Sequence, residues 1–252
     1  MTKGKEEIFI PPIQKKLPLH QEKVVEYQQD TTAIFSFRNF SLVNVQYLEE
    51  TLSDSNSSES FKNLTTAIQM NSDVIKGVYE GGLKIWECTE DLLDYLEKEA
   101  ISFKDMNVLD LGCGAGVLGI QAVHREACSV HFQDYNTEVL ELVTIPNVLL
   151  NMPTADVEKR VKLFSGDWEL LEDMLDLYDV VLTAETIYSP ENYLKLLSIF
   201  DKVTKPSGVI YVAAKQHYFG VGGNLRQFEK LLMESKKWRA ESVFVTEEGI
   251  FD

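Results

Sequence analysis

Asn107–Gly119 reads NVLDLGCGAGVLG. An apolar run, Val108–Leu111, leads into Gly112, Gly114 and Gly116, and the amphipathic segment Val117–Val123 follows. That order predicts a strand, a tight glycine turn and a helix. Glycine is needed where a ligand comes close enough to the backbone to collide with a Cβ, or where φ is positive. The turn also gathers the free N–H groups of a helix start around whatever binds.

Two ligands compete for this loop. Gly114–Gly119 satisfies the G-x-G-x-x-G pattern of dinucleotide sites, a weak match by itself. Asp110, two residues before the first glycine, points the other way. A pyrophosphate at this helix start would lie close to an added carboxylate, and like charges repel at short range. A ligand with a cationic ammonium or sulfonium centre gains from that carboxylate. S-adenosylmethionine is such a ligand, so the D-x-G-x-G-x-G order favours a methyl donor over a nicotinamide cofactor.

The 252 residues suit one domain of ordinary size plus an extension. Hydrophobic content of 44% is that of a globular chain. No window approaches the ~20 apolar residues of a membrane span, and the start, MTKGKEEIFIPP, lacks the apolar run of a secretory signal. Cys88, Cys113 and Cys128 have no metal-site spacing and cannot all pair, which reads as reduced intracellular thiols. The four histidines are scattered and form no metal cluster. A net charge of -16 argues against binding to a nucleic-acid backbone and suits a basic macromolecular partner, although acidity also serves solubility.

Before the glycine turn, Pro11, Pro12 and Pro18 break any early helix. Thr31–Val45 is β-branched and aromatic enough for one or two short strands. Ser53–Ser60 (SDSNSSES) reads as a linker or disordered loop. We therefore expect a partly disordered extension over 1–70 and a catalytic domain over 71–252. From Thr89 the pattern is helical, with Leu92, Leu93 and Leu96 on one face, Thr89 as N-cap and Asp91, together with Glu90, in the first turn. Trp86, just ahead, reads from position alone as an anchor for the helix start.

Beyond the turn, Ser129–Asp134 is a strand ending in an acid 24 residues after Asp110. Asp134 is placed to accept hydrogen bonds from ribose hydroxyls, in either cofactor class. Asn136 opens the next helix, Thr137–Leu150, where it serves equally as a cap, and Pro146 predicts a kink or early stop. Val161–Phe164 is a third strand, and Asp167 and Trp168 after it offer an acceptor and a flat face for an adenine. Tyr178–Ala184 is nearly all apolar, as a strand buried on both faces should be, and ends in Glu185-Thr186-Ile187-Tyr188. Ser207-Gly208 turns into a fifth strand, Val209–Ala214. A helix at Leu225–Met233 and a sixth strand at Arg239–Val245 follow. Strands alternating with helices give an α/β fold, a doubly wound and mainly parallel sheet.

Together, GVYEGGLKIWECTEDLLDYL (77–96), VLDLGCGAGVLGI (108–120), HFQDYN (131–136), SGDW (165–168), LTAETIY (182–188) and HYFGVGG (217–223) resemble the histidine protein methyltransferase 1 homologues. These are Rossmann-like, seven-strand, S-adenosylmethionine-dependent enzymes that methylate a histidine of large-subunit ribosomal protein three. The likeness runs over about residues 71–249. It implies that Ile85, Trp86, Glu87, Cys88 and Thr89 line the cofactor pocket, which moves Trp86 from anchor to ligand wall. It implies that Gly112, with Gly114 and Gly116, holds the methionine part and that Asp134, Tyr135 and Asn136 take the ribose. Gly166, Asp167 and Trp168 would flank the adenine, and Ala184 would complete the wall. Glu185-x-x-Tyr188 matches the acid-x-x-aromatic element that related enzymes place beside the acceptor. A basic ribosomal protein as partner, no direct nucleic-acid or membrane binding, a monomer, and a place in cytoplasm and nucleus (nucleolus included) follow as expectations.

The family's antiparallel seventh strand has no counterpart in this sequence, so we expect the sheet to lack its last strand. On chemistry, a histidine acceptor has an ordinary pKa near ~6.5 and needs no strong base at neutral pH. Glu185 is expected to accept a hydrogen bond from the far ring nitrogen, with Tyr188 or His217-Tyr218-Phe219 walling the ring. Two other functions share these residues. One is a lysine or small-molecule methyltransferase; the other is a non-catalytic form that binds a ribosomal protein.

Overall fold

Val108–Leu111 becomes the middle of a six-stranded sheet. A computed structural model describes residues 12–15, 21–54 and 61–243. Among the described residues the strands are β1 (Ile13–Lys15), β2 (Ile34–Phe37), β3 (Phe40–Val43), β4 (Asn107–Leu111), β5 (Ser129–Asp134), β6 (Val161–Ser165), β7 (Tyr178–Ala184) and β8 (Thr204–Ala213). The first helices are α1 (Gln21–Gln29), α2 (Val45–Asp54), α3 (Lys62–Gln69), α4 (Glu87–Lys98) and α5 (Val117–His124). They are followed by α6 (Thr137–Val139), α7 (Ile145–Asn151), α8 (Thr154–Arg160), α9 (Trp168–Leu171), α10 (Tyr193–Val203) and α11 (Leu225–Ser235).

The sheet runs β1-β6-β5-β4-β7-β8, with β4 to β8 parallel and β1 antiparallel on β6. Chain order reverses between β4 and β7, which makes the carboxyl ends of those strands the topological switch point where ligands bind in such sheets. Side chains of β4 alternate between two cores: Val108 packs with α4, α5 and α7, and Leu109 and Leu111 with α10 and Phe228 of α11. β2 and β3 form a separate hairpin, as the β-branched run predicts, and Phe40 and Leu42 join the core of Val108 together with Leu64 and Ala67 of α3. Apolar residues from both sides of residue 70 thus share one core.

Several expectations are corrected. Helix α4 begins at Glu87, so Thr89 is not its cap; Trp86 holds the N-cap position without a side-chain bond, and the first-turn acids are Glu87 and Glu90. Pro146 does not stop the helical segment: a π-helical turn at Leu140–Thr144 precedes it, and Pro146 stands in the first turn of α7. Ser207-Gly208 lies inside β8 rather than before it. Pairing there steps from Tyr178–Thr204 to Val180–Val209, so the residues between bulge out. Residues 239–243 are not a strand, and the rest of that segment lies outside the described residues. α2 extends through Asp54; residues 55–60 of the polar run also lie outside them. β1 was unforeseen, since three residues carry no periodicity. Among the described residues no strand pairs with the outer edge of β8.

Candidate active site

The glycine loop is built as the sequence requires. Gly112, Gly114 and Gly116 have φ of 67°, 49° and 77°, all left-handed. Gln133 holds the loop from β5: its Oε1 accepts from Gly112 N at 3.3 Å and its backbone carbonyl from Cys113 N at 2.7 Å. The same side chain accepts from Trp168 Nε1 at 2.8 Å and donates to Gly166 O at 3.0 Å. One amide thus joins the ends of β4, β5 and β6. Sequence reading passed over Gln133, although a polar residue inside the buried run SVHFQD was the available signal.

Asp110 is bonded to the start of α5. It is 1% exposed beneath the loop, and its carboxyl accepts from Gly119 N at 2.8 Å in the first turn of α5. Burial pushes its pKa up to about 8. The bond to Gly119 N fixes the helix start beneath the loop, and further acids lie at the ends of the neighbouring strands.

Asp134 is one of them. At the end of β5 it accepts from Gly114 N and Asn136 N, both at 3.0 Å, and burial raises its pKa to about 6. Tyr135 and Asn136 reach for the segment over 76–86, which straps the mouth of the crevice. Tyr135 Oη donates to Gly77 O at 3.1 Å, Asn136 Nδ2 to Val78 O at 2.7 Å, and Asn136 Oδ1 accepts from Glu80 N at 3.0 Å. Asn136 therefore does not cap α6. Gly82 presses on the loop so closely that a Cβ there would stand 2.7 Å from Val139 Cγ1 and 3.2 Å from Asp134 Oδ2. Glu80, another residue the sequence reading missed, bonds Gly77 N at 2.6 Å and receives the Tyr188 hydroxyl. Desolvation raises its pKa.

At the end of β6, Gly166 (φ 129°) lies against Pro12, whose Cα would be 2.9 Å from an added Cβ. Asp167 caps α9 through Glu169 N at 3.0 Å and pairs with Lys195 Nζ at 2.6 Å. The Trp168 ring packs against the core of Leu109.

Residues 85–89 diverge. Ile85 helps line a cavity of about 520 Å³ between the strap and the β2–β3 hairpin, where Phe37, Leu42, Tyr79 and Ala115 also lie. Trp86 Nε1 donates to Gly81 O at 3.1 Å, and Glu87 turns outward to Lys215 Nζ at 2.9 Å. Thr89 donates its backbone N–H to Trp86 O at 3.0 Å. Cys88 is buried, and its N–H reaches Glu185 Oε1 at 3.4 Å, so Glu185 sits at the start of α4, where the helix dipole favours a carboxylate. Ala184 ends β7 against Ala213. Glu185 follows with φ of 59°, a left-handed geometry that costs a non-glycine residue energy and clusters at functional sites. Tyr218, whose hydroxyl accepts from Lys215 N at 3.2 Å, lies near enough to the same carboxylate that burial and the Glu185 charge raise its pKa. The structure thus brings Glu185 to Cys88 and Tyr218, while Tyr188 turns to Glu80. Tyr218 is the member of His217-Tyr218-Phe219 that lies beside Glu185, while Phe219 is 95% exposed.

Among the described residues no group of three or more His, Cys, Asp or Glu could hold a metal, and no helix is long and apolar enough to cross a membrane.

A family model described as lysine methyltransferase matches residues 62–234. The chain is 37% identical over 262 residues to the histidine protein methyltransferase 1 homolog of Bos taurus, covering 93% of this chain and 69% of the relative. It is 41% identical over 213 residues to that of Mus musculus, covering 74% of this chain and 59% of the relative. Among solved structures, a ribosomal protein L11 methylase from Lactobacillus delbrueckii subsp. bulgaricus matches with a TM-score of 0.43 and 23% identity, over 57% of this chain and 67% of that one. The doubly wound sheet, its glycine loop and the family match define a methyltransferase of the class that uses S-adenosylmethionine. Within that class, the chain belongs to the family of the histidine protein methyltransferase 1 homologs.

Proposed function

We propose that this chain is a protein-histidine N-methyltransferase whose substrate is a histidine of a basic protein, large-subunit ribosomal protein three. The observation that carries this reading is the placement of Glu185, a strained residue fixed at the start of α4 beside Tyr218, at the switch point of the sheet.

The residues present fit the cofactor. Asp134 keeps lone pairs for a ribose diol beyond its two backbone donors. Asp134, Glu80 and Asp167 line the crevice with carboxyl groups, and Lys195 is already engaged by Asp167, which suits a cationic ligand better than a pyrophosphate. When bound, S-adenosylmethionine supplies a methyl group activated by its sulfonium. Gly112 and Gly114 would admit its methionine part, Asp134 its ribose, and Asp167 with Trp168 its adenine. The strap, held by Asn136 and Tyr188, would exclude water.

At neutral pH an imidazole is largely unprotonated, so positioning is the main task left to the protein. Glu185 would accept the N–H of one ring nitrogen, selecting the tautomer whose other nitrogen carries the lone pair toward the crevice. A lysine acceptor is the second reading, favoured by the description of the family model. Lysine must first lose a proton from an ordinary pKa near ~10.4, so its rate would climb steeply with alkaline pH. Rates on matched peptides that differ only in histidine or lysine at one position test the proposal. Faster transfer to histidine with a flat profile above pH 7 supports it, and transfer to the lysine peptide alone overturns it.

A further inference from the structure

The loop between β8 and α11 has a firm base and a bare tip. At the base, Tyr218 N donates to Gly223 O at 2.9 Å, and Asn224 N donates to Tyr193 Oη at 2.7 Å. The Asn224 side chain meets His217 Nδ1 at 2.7 Å and accepts from Arg226 N at the start of α11. The loop is pressed onto the catalytic turn: a Cβ on Gly223 would lie 2.3 Å from both Ile187 O and Tyr188 O. At the tip, Phe219 is 95% exposed and Val221 47% exposed, and nothing lies within 4 Å of where Cβ atoms on Gly220 or Gly222 would stand.

A single exposed apolar residue is ordinary on a protein surface. Here an aromatic and a branched aliphatic side chain share one glycine-flanked turn. The residue next to the aromatic, Tyr218, lies beside Glu185, whose charge helps to raise the pKa of its hydroxyl. On the α4 side of Glu185 several acids gather around Asp91, of which Glu90 and Asp94 also meet Arg38. Burial and the neighbouring charges of Asp94, Glu185, Glu90 and Glu87 raise the pKa of Asp91, while Lys215 is engaged by Glu87.

We infer that the Phe219–Val221 tip is the docking element for the protein substrate. It seats in an apolar side-chain cluster beside the target histidine, while lysines and arginines flanking that cluster face Asp91 and its neighbours. The occupant is a segment of a basic polypeptide, which matches a chain of net charge -16. Aromatic anchors of this kind dominate the energetics of protein contacts. The inference rests on the histidine-methylation reading but is separable from it.

Two synthetic peptides test it. Each carries one histidine and four basic residues; one has leucine and phenylalanine beside the histidine, and the other has serines there. Binding is read by fluorescence anisotropy, independently of turnover, and methyl transfer is read in parallel. The wild-type protein should bind the apolar peptide about tenfold more tightly, a typical anchor contribution. Phe219→Ala should abolish that preference, Phe219→Tyr should retain it, and the affinity for S-adenosylmethionine should not change. Equal binding of both peptides by the wild type, or a preference that survives Phe219→Ala, overturns the docking role. A Phe219-dependent preference without transfer to histidine leaves the docking role standing and removes the histidine reading instead.

Discussion

The hydroxyl of Tyr188 donates to the carboxylate of Glu80 across 108 residues of chain, joining the turn after β7 to the strap that covers the glycine loop. Asn136 ties the same strap to the end of β5 through Val78 and Glu80. Closure over the cofactor crevice is therefore built from residues on either side of the switch point.

Removing one end of that link leaves a half-buried carboxylate short of a donor. Tyr188→Phe should weaken S-adenosylmethionine binding by about tenfold to a hundredfold, the usual range for a hydrogen bond to a charged group. Glu80→Gln should weaken it too, and the double variant should lose less than the two single losses combined, because both remove one interaction. Calorimetric titration of the four proteins gives the cycle. Fully additive losses would show that the two residues act separately.

Two glycines separate support of the fold from support of the site. A Cβ on Gly119 would stand 2.2 Å from Phe132 Cε1 within the core, so Gly119→Ala should cost about 1–3 kcal/mol of stability, as overpacking does. Gly82→Ala would push the strap off Val139 and Asp134, and should reduce cofactor affinity with a smaller effect on the melting temperature. Urea denaturation and cofactor titration of both variants check the contrast. The reverse pattern would mean that the strap belongs to the core rather than to the site.

Asp110 predicts how stability responds to pH. Its folded pKa of about 8 lies above the ordinary carboxylate value, so the folded chain keeps a proton that the unfolded chain releases, and stability falls as pH rises across the interval between them. His131, buried against Tyr178 and lowered to about 4, acts oppositely. Between that value and about 6.5 the unfolded chain holds the proton, so this group's contribution to stability grows with pH. Asp134, at about 6, opposes His131 in the same window. Above pH 6.5, Asp110 is the one of these three still titrating. Asp110→Asn keeps an acceptor for Gly119 N, and should flatten the decline in stability between pH 6.5 and 8. An unchanged slope would show that Asp110 is ionised in the folded protein.

The doubly wound sheet was legible because β4, β5 and β7 are buried strands whose apolar runs have no competing period, and because the glycines of 112–116 have one structural use. The bond from Asp110 to the helix start went unread for a physical reason. An acid before a glycine turn serves a ligand or the helix start equally well, and only burial distinguishes the two. Thr89 was taken as a cap on side-chain chemistry, whereas α4 starts two residues earlier without a side-chain cap. Glu80 and Gln133 went unnoticed because their partners lie 108 residues away in one case and at the ends of three strands in the other. Contacts of that kind leave no periodic trace.

Glu185→Gln should keep the cofactor bound, since Glu185 meets Cys88 and Tyr218 rather than the glycine loop. Turnover on a histidine peptide should fall about tenfold or more with loss of tautomer selection. Steady-state rates decide the point, and wild-type turnover would remove Glu185 from the mechanism.

The most direct test of the account is to incubate the protein with labelled S-adenosylmethionine and the proteins of the large ribosomal subunit, then locate the label by tandem mass spectrometry. The account predicts a methyl group on a histidine ring nitrogen of ribosomal protein three. Label found only on lysine, or no transfer by a protein that binds the cofactor, would contradict it.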